Sequence, residues 1–226
     1  IYIYIYIYIM SDFIAGGCVG LAQVAIGHPF DTTMVLIQNN KKWTGLHIKN
    51  YYRGWRFPLV SASLFNFTVF PVYERSLSYT NNAILSGALA GFCASPLLFG
   101  FEVGKILQQT RQPLNISVFT RSRGFYSLAS RETLACSAYF STYNYMKEKG
   151  NGPLIAGGLS GLVNWGLTYP LDVLKSRQIA QNISMKNAFN QGKLYKGFSI
   201  CMVRAVLVNA MNFWTYETVK KYLESK

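Results

Sequence analysis

The chain repeats itself at intervals of roughly seventy residues, and a unit of that kind cannot bury its own apolar face without stacking on its neighbours. Gly16 and Gly20, Gly87 and Gly91, and Gly157 and Gly161 form Gly-x3-Gly pairs whose starts lie 71 and then 70 residues apart. Asp31, Glu102 and Asp172 keep the same spacings of 71 and 70. Arg53-Gly54, Arg123-Gly124 and Lys196-Gly197 are spaced 70 and 73, as are Tyr73-Glu74, Tyr143-Asn144 and Tyr216-Glu217. These four features in one register predict three copies of a two-helix unit, residues 10–80, 81–151 and 152–226, all parts of one bundle.

Each copy holds two long apolar segments, six in all: roughly 12–38, 57–79, 82–109, 125–147, 153–180 and 198–222. Each can supply the about 20 helical residues that cross a bilayer. The expected fold class is therefore an all-α membrane protein with six transmembrane helices in three tandem repeats. In lipid, helices associate by close packing, so the glycine pairs are expected to let backbones approach.

Charge gives the orientation. The net charge is +13, yet only 14% of residues are charged and half are hydrophobic, against about 25% charged in soluble domains. That excludes a disordered basic tail and a soluble nucleic-acid binder. The basic residues gather in three loops, 39–56, 110–124 and 181–197, none of which contains an acid. These loops are expected on one side of the membrane and both termini on the other; they could also hold anionic lipid headgroups. Two histidines, four cysteines without a CxxC pair, and no glycine-rich phosphate loop or Ser/His/Asp set give no sign of an enzyme, a metal site or a cofactor. The cysteines sit in apolar stretches and are expected to pack as small residues. Residues 1–9 alternate Ile and Tyr, as a translated AT-dinucleotide repeat does. They are expected to be an unstructured leader outside the fold, with Met10 the natural start; a short β-like arm is the alternative.

Pro29-Phe-Asp31 and Pro170-Leu-Asp172-Val-Leu-Lys175-Ser-Arg177 resemble the P-x-[DE]-x-x-[KR]-x-[KR] signature of the mitochondrial carrier family. The basic-Gly pairs and the Tyr-Glu-x-x-Lys ending at Tyr216–Lys220 are similar to that family as well, and the resemblance runs from Met10 to the C-terminus. It implies a monomeric, pseudo-three-fold bundle with short helices in the basic loops facing the mitochondrial matrix. It also implies a multi-pass inner-membrane location, bound cardiolipin, and alternating access of a small-molecule substrate and counter-substrate to one central site.

The resemblance assigns roles residue by residue. Pro29 and Pro170 would kink the odd-numbered helices, since proline lacks an N–H and clashes with the preceding turn; the second repeat has Gly100 there and Pro96 a turn earlier. An acid and a base three residues apart share a helix face. The matrix gate is expected to pair Asp31 with Lys105 and Glu102 with Lys175, while Asp172 meets Met34 and has no base. Gln38 and Gln109 fall where the family often braces these pairs. At the cytosolic gate, Glu74 would pair with Lys147, Asn144 would hydrogen-bond Lys220, and Glu217 would face Leu77.

Cargo is expected at Ser61, Arg131 with Glu132, and Arg204, each eight residues after a basic-Gly pair begins. An arginine in an apolar span needs an anionic partner or cavity water, and its fork suits carboxylate or phosphate. Glu132 either partners Arg131 permanently or takes a cationic part of the cargo. The dyad resembles carriers of amino acids, carnitine and S-adenosylmethionine. The leader, the short loops and the Asn/Ile/Tyr/Lys richness suggest a compact AT-rich genome such as that of a large DNA virus, with a host mitochondrion as the location. Such a source gives nucleotides or deoxynucleotides as the leading cargo. A passive channel or proton leak is the third reading, because the cytosolic gate is poor in ion pairs.

Overall fold

A computed structural model describes residues 2–114 and 123–224; the side chains of 2–17, 217 and 220 are among those outside the description. Among the described residues it is all-helical. Six helices are long: α1 (Tyr2–Gln38), α3 (Arg56–Thr80), α4 (Ala83–Gln109), α5 (Phe125–Glu148), α6 (Pro153–Gln181) and α8 (Phe198–Glu224). Two are short, α2 (Ile48–Tyr51) and α7 (Met185–Asn190). Both short helices lie in basic loops; residues 115–122 of the third such loop lie outside the described residues. Residues 2–9, expected to be unstructured, are helical and form the start of α1. With no partner strand among the described residues, their backbone groups are satisfied by extending the helix.

Local chemistry sets the helix ends. The side chain of Asn82 accepts from the backbone N–H groups of Ile84 and Leu85 at the start of α4, and that of Ser184 accepts from Asn187 in α7. Asn81 and Asn182 take left-handed conformations just past α3 and α6, a short polar residue being tolerated there. Lys41 donates to the carbonyl of Thr110 at 2.8 Å, closing the end of α4. Burial, and then the charge of Arg111, hold the Lys41 ammonium below its usual pKa.

The helices continue through their prolines. Pro29 and Pro170 lie inside α1 and α6, Pro96 inside α4, and Pro71, not singled out from the sequence, inside α3. Each proline leaves the carbonyl four residues earlier without its helical donor. For Pro29 that is Ala25, whose carbonyl accepts from Tyr52 Oη at 2.7 Å. For Pro170 it is Gly166, whose carbonyl accepts from Tyr195 Oη at 3.2 Å. Both tyrosines directly precede a basic-Gly pair. The second repeat, with Gly100 in place of the proline, has Ser122 at that position of the sequence.

Close backbone packing is confined, among the described glycine pairs, to one. A methyl group on Gly87 would lie 2.7 Å from the Cys136 carbonyl oxygen, and one on Gly91 would collide with the Glu132 carbonyl. This pair brings α4 against α5. Gly20 and Gly161 face open space, and Gly157 has only Tyr139 Oη at 3.9 Å; of the three pairs expected to be packing seams, the second is one and the third is not. Gly16 lies outside the residues with described surroundings. Beyond the seam, Val35, Val103, Ile106, Leu107, Ile179 and Ala180 form one apolar cluster that ties together the C-terminal parts of α1, α4 and α6.

By length and hydropathy, Ala83–Gln109 is the one described helix long and apolar enough to cross a membrane; Phe198–Val208 is a shorter apolar stretch. The six segments expected to span do form long helices; charged and hydroxyl side chains lower the mean hydropathy of α3, α5 and α6, whereas parts of α1 and α8 lie outside the residues with described side chains. Those charges turn inward. Asp31, Glu132, Asp172 and Lys175 are buried, while Phe67 is 87% exposed and Leu167, Val206 and Ile84 also face outward. All four cysteines are free; Cys136 and Cys201 are buried, and Cys93 is exposed rather than packed.

Candidate functional site: a charged central cavity

The long helices enclose a cavity of about 770 Å³. Its floor is built from Asp31 of α1 and the acid-x-x-base stretches Glu102–Lys105 of α4 and Asp172–Lys175 of α6. Lys105 Nζ lies 3.5 Å from Asp31 Oδ2, and Lys175 Nζ lies 2.7 Å from Glu102 Oε2. Both of these pairs join neighbouring helices. Each lysine also faces the acid three residues before it, Lys105 with Glu102 at 3.9 Å and Lys175 with Asp172 at 2.9 Å.

Asp172 is the acid left without a base by the sequence pattern. Met34 is buried among Tyr169, Val173 and Cys201. Besides Lys175, Asp172 accepts from Gln38 Nε2 at 3.1 Å and lies 3.6 Å from Arg131 Nε. Gln38 therefore holds a floor acid. Gln109 does not: its Nε2 donates to Thr32 Oγ1 at 3.1 Å, and Thr32 in turn donates to the carbonyl of Tyr51 at 2.7 Å.

Ser61, Arg131, Glu132 and Arg204 all line this one cavity. Arg131 is paired with Glu132, which is 4% exposed, and its guanidinium lies over the Trp165 ring, 5.2 Å from the centroid. Arg204, which has no acid adjacent in sequence, is nevertheless paired: its Nε lies 2.5 Å from Asp31 Oδ1 and its Nη2 donates to Asp31 Oδ2 at 3.4 Å. A methyl group on Gly27 would meet the Arg204 Nε and Nη2 atoms only at ordinary contact, 3.5 Å, and Val208 more tightly, at 3.1 Å. Ser61 donates to the carbonyl of Pro58 within its own helix, at 3.4 Å.

The cavity thus collects four acids, Asp31, Glu102, Glu132 and Asp172, and four bases, Lys105, Lys175, Arg131 and Arg204. Its formal charge is zero in a chain of net +13. Sequence reasoning picked out both arginines but missed Trp165 and the contacts of both arginines with the floor acids. No spacing along the chain encodes those contacts.

The other end differs. Glu74 and Lys147 are exposed, and no ion pair joins them among the described residues. The pair expected there is absent from this conformation. Asn144 Nδ2 donates to Tyr73 Oη at 2.9 Å, and the Tyr73 ring stacks on Phe140. The side chains of Glu217 and Lys220 lie outside the described residues.

The basic-Gly pairs explain their own spacing. Gly54, Gly124 and Gly197 have φ of +82°, +116° and +88°, a region that favours glycine. Each abuts a different inward helix. Gly54 lies against the Lys105 carbonyl and Gln108, Gly124 against Ile179, Gln178 and the Lys175 carbonyl, and Gly197 against Ile37 and Met34 of α1 with Tyr169 Oη of α6 nearer still, at 3.0 Å. The contacted positions Met34, Lys105 and Lys175 are themselves 71 and 70 residues apart.

Residues 151–226 match the family described as "Mitochondrial carrier protein". The chain is similar to the mitochondrial arginine transporter BAC2 of Arabidopsis thaliana, with 30% identity covering 94% of this chain and 91% of that protein. It is similar to the mitochondrial basic amino acids transporter of Rattus norvegicus at 28% identity, covering 95% and 90%. Solute carrier family 25 member 45 of Mus musculus is 26% identical, covering 92% and 97%.

Proposed function

The chain belongs to the mitochondrial carrier family, and from that membership we propose that it exchanges a small zwitterionic metabolite, an amino acid with a cationic side chain first among them, by alternating access across the mitochondrial inner membrane. In this reading the six long helices span the bilayer as three two-helix repeats, with the basic loops on the matrix side. The cyclic contacts of Gly54, Gly124 and Gly197 support the three repeats. The inward charges and outward apolar side chains support a lipid surround.

The observation that carries the cargo assignment is the charge balance of the cavity. Four acids against four bases offer a zwitterion one partner of each sign. A nucleoside triphosphate would bring several negative charges into a cavity with no net positive charge to meet them. The names of the relatives point the same way, two of them naming basic amino acids or arginine. The expectation of nucleotide cargo rested on the inferred source and gains nothing from the site. In the proposed cycle the cargo carboxylate takes Arg131 or Arg204, and Glu132 takes the cationic group. For a cargo with one group of each sign, each swap exchanges an internal ion pair for one with cargo, so no buried charge is left unpaired; a cationic side chain adds one charge beyond that balance. The closed floor, and Glu74 and Lys147 not paired with each other, fit a conformation open toward the cytosol.

Purified protein in liposomes loaded with arginine should take up radiolabelled arginine, and the uptake should disappear when the interior is empty. Exchange of ATP or dATP without exchange of arginine would overturn the cargo assignment. Equal uptake into loaded and empty liposomes would support instead a channel or leak, a reading favoured only by the absent Glu74–Lys147 pair.

A further inference from the structure

Every acid of the cavity floor faces two cations. Asp31 has Lys105 and Arg204, Glu102 has Lys175 and Lys105, and Asp172 has Lys175 and Arg131. The cyclic pattern accounts for only part of this. A lysine three residues after each acid would serve its own acid and the acid of the preceding repeat. Lys105 and Lys175 both do so. Met34 stands where the third lysine would be, and a lysine there would have been the second cation of Asp172.

We infer that Arg131 is the substitute third cation of the matrix gate, reaching down from α5 to Asp172 in place of the base that Met34 does not supply. The side chains of Arg131 and Asp172 are 15% and 8% exposed, so the pair is largely out of water, where loss of one partner is costly. Trp165, two helical turns before Asp172 on α6, lies under the guanidinium and fixes its approach. Arg204 fills the other half of the same gap, because a lysine at 34 would also have been the second cation of its own acid, Asp31, beside Lys105. Ser61, at the corresponding place in the first repeat, is not needed as a cation, because Glu102 has both lysines.

The consequence is that one side chain belongs to the gate and to the cargo cavity together. A carboxylate that takes Arg131 removes the second cation from Asp172, so the third sector of the floor is held closed only while the cavity is empty. This rests on the carrier reading, but its test does not: it reads the gate without any cargo.

The test is a double-mutant cycle on the purified full chain, read as the shift in Tm by tryptophan fluorescence. In a Glu132→Gln background, which leaves no carboxylate stranded beside residue 131, Arg131→Gln should lower Tm, and adding Met34→Lys should recover most of that loss, because the introduced lysine restores a second cation to Asp172. Additive shifts for Met34→Lys and Arg131→Gln in that background would overturn the inference. Should the Arg131→Gln/Glu132→Gln protein not fold, a folded triple variant that adds Met34→Lys supports the assignment, and failure of the triple variant to fold overturns it.

Discussion

Glu132 is buried beside Arg131, its carboxylate one residue along the chain from the guanidinium it neutralises. With Asp172 on the other side, Arg131 has two anionic partners in this conformation. A zwitterion can replace both contacts of the dyad at once, its carboxylate on Arg131 and its cation on Glu132. A polyanion can use only the first. A charge-assisted hydrogen bond contributes about 1.5–3 kcal/mol, roughly a ten- to hundredfold change in affinity. Glu132→Gln should therefore reduce arginine uptake into liposomes by that factor at subsaturating concentration. Undiminished arginine uptake by a correctly inserted Glu132→Gln protein would remove Glu132 from the cargo site.

At the scale of elements, glycine has two different jobs in this chain. Gly54, Gly124 and Gly197 supply turns of positive φ that start α3, α5 and α8 against a neighbouring repeat. Gly87 and Gly91 remove side chains from the seam between α4 and α5, and Gly91 does so directly behind the Glu132 backbone. Gly161 occupies the same repeat position as Gly91 but faces open space. Gly91→Ala should push α5 away from α4 and cost about 1–3 kcal/mol as overpacking does, seen as a lowered Tm, whereas Gly161→Ala should leave Tm unchanged or raise it slightly. Equal shifts would show that the α4–α5 seam yields as easily as an open face. The proline–tyrosine pairs work at the same scale. Pro29 and Pro170 each free a carbonyl that a tyrosine hydroxyl from the next loop recovers, and the repeat without the proline is the one without that tyrosine.

For the whole molecule, the decisive property is the inversion of polarity. Apolar side chains such as Phe67 face outward, and the ion pairs sit at the centre. In water this would leave large apolar patches exposed; in lipid it satisfies both surfaces. Hydropathy along α3, α5 and α6 understates this, because it averages the two faces; Ala83–Gln109 is the span it marks among the described residues. The topology can be measured directly. Cysteines placed at Lys186, in a basic loop, and at Lys149, between α5 and α6, should react with an impermeant thiol reagent from opposite sides of sealed vesicles. Reaction of both from one side would remove the six-span arrangement.

The sequence by itself determined the period, the helical segments, the register of the floor acids and bases, and the glycine turns. These are local or periodic properties: a residue's type and its register along a helix suffice to place it on a face. It also exposed Met34 as a gap in the pattern, because a gap is visible wherever a repeat is. Only the tertiary structure decided how the gap is filled. Arg131 reaches Asp172 and Arg204 reaches Asp31 across helices from different repeats, the second over 173 positions of sequence. A long flexible side chain leaves no trace of its direction in the residues around it. The same holds for the glycine pairs, alike in sequence yet only the second of them a close contact among the described residues. Whether a missing Cβ matters depends on what stands opposite, and that is set by the packing of the whole bundle.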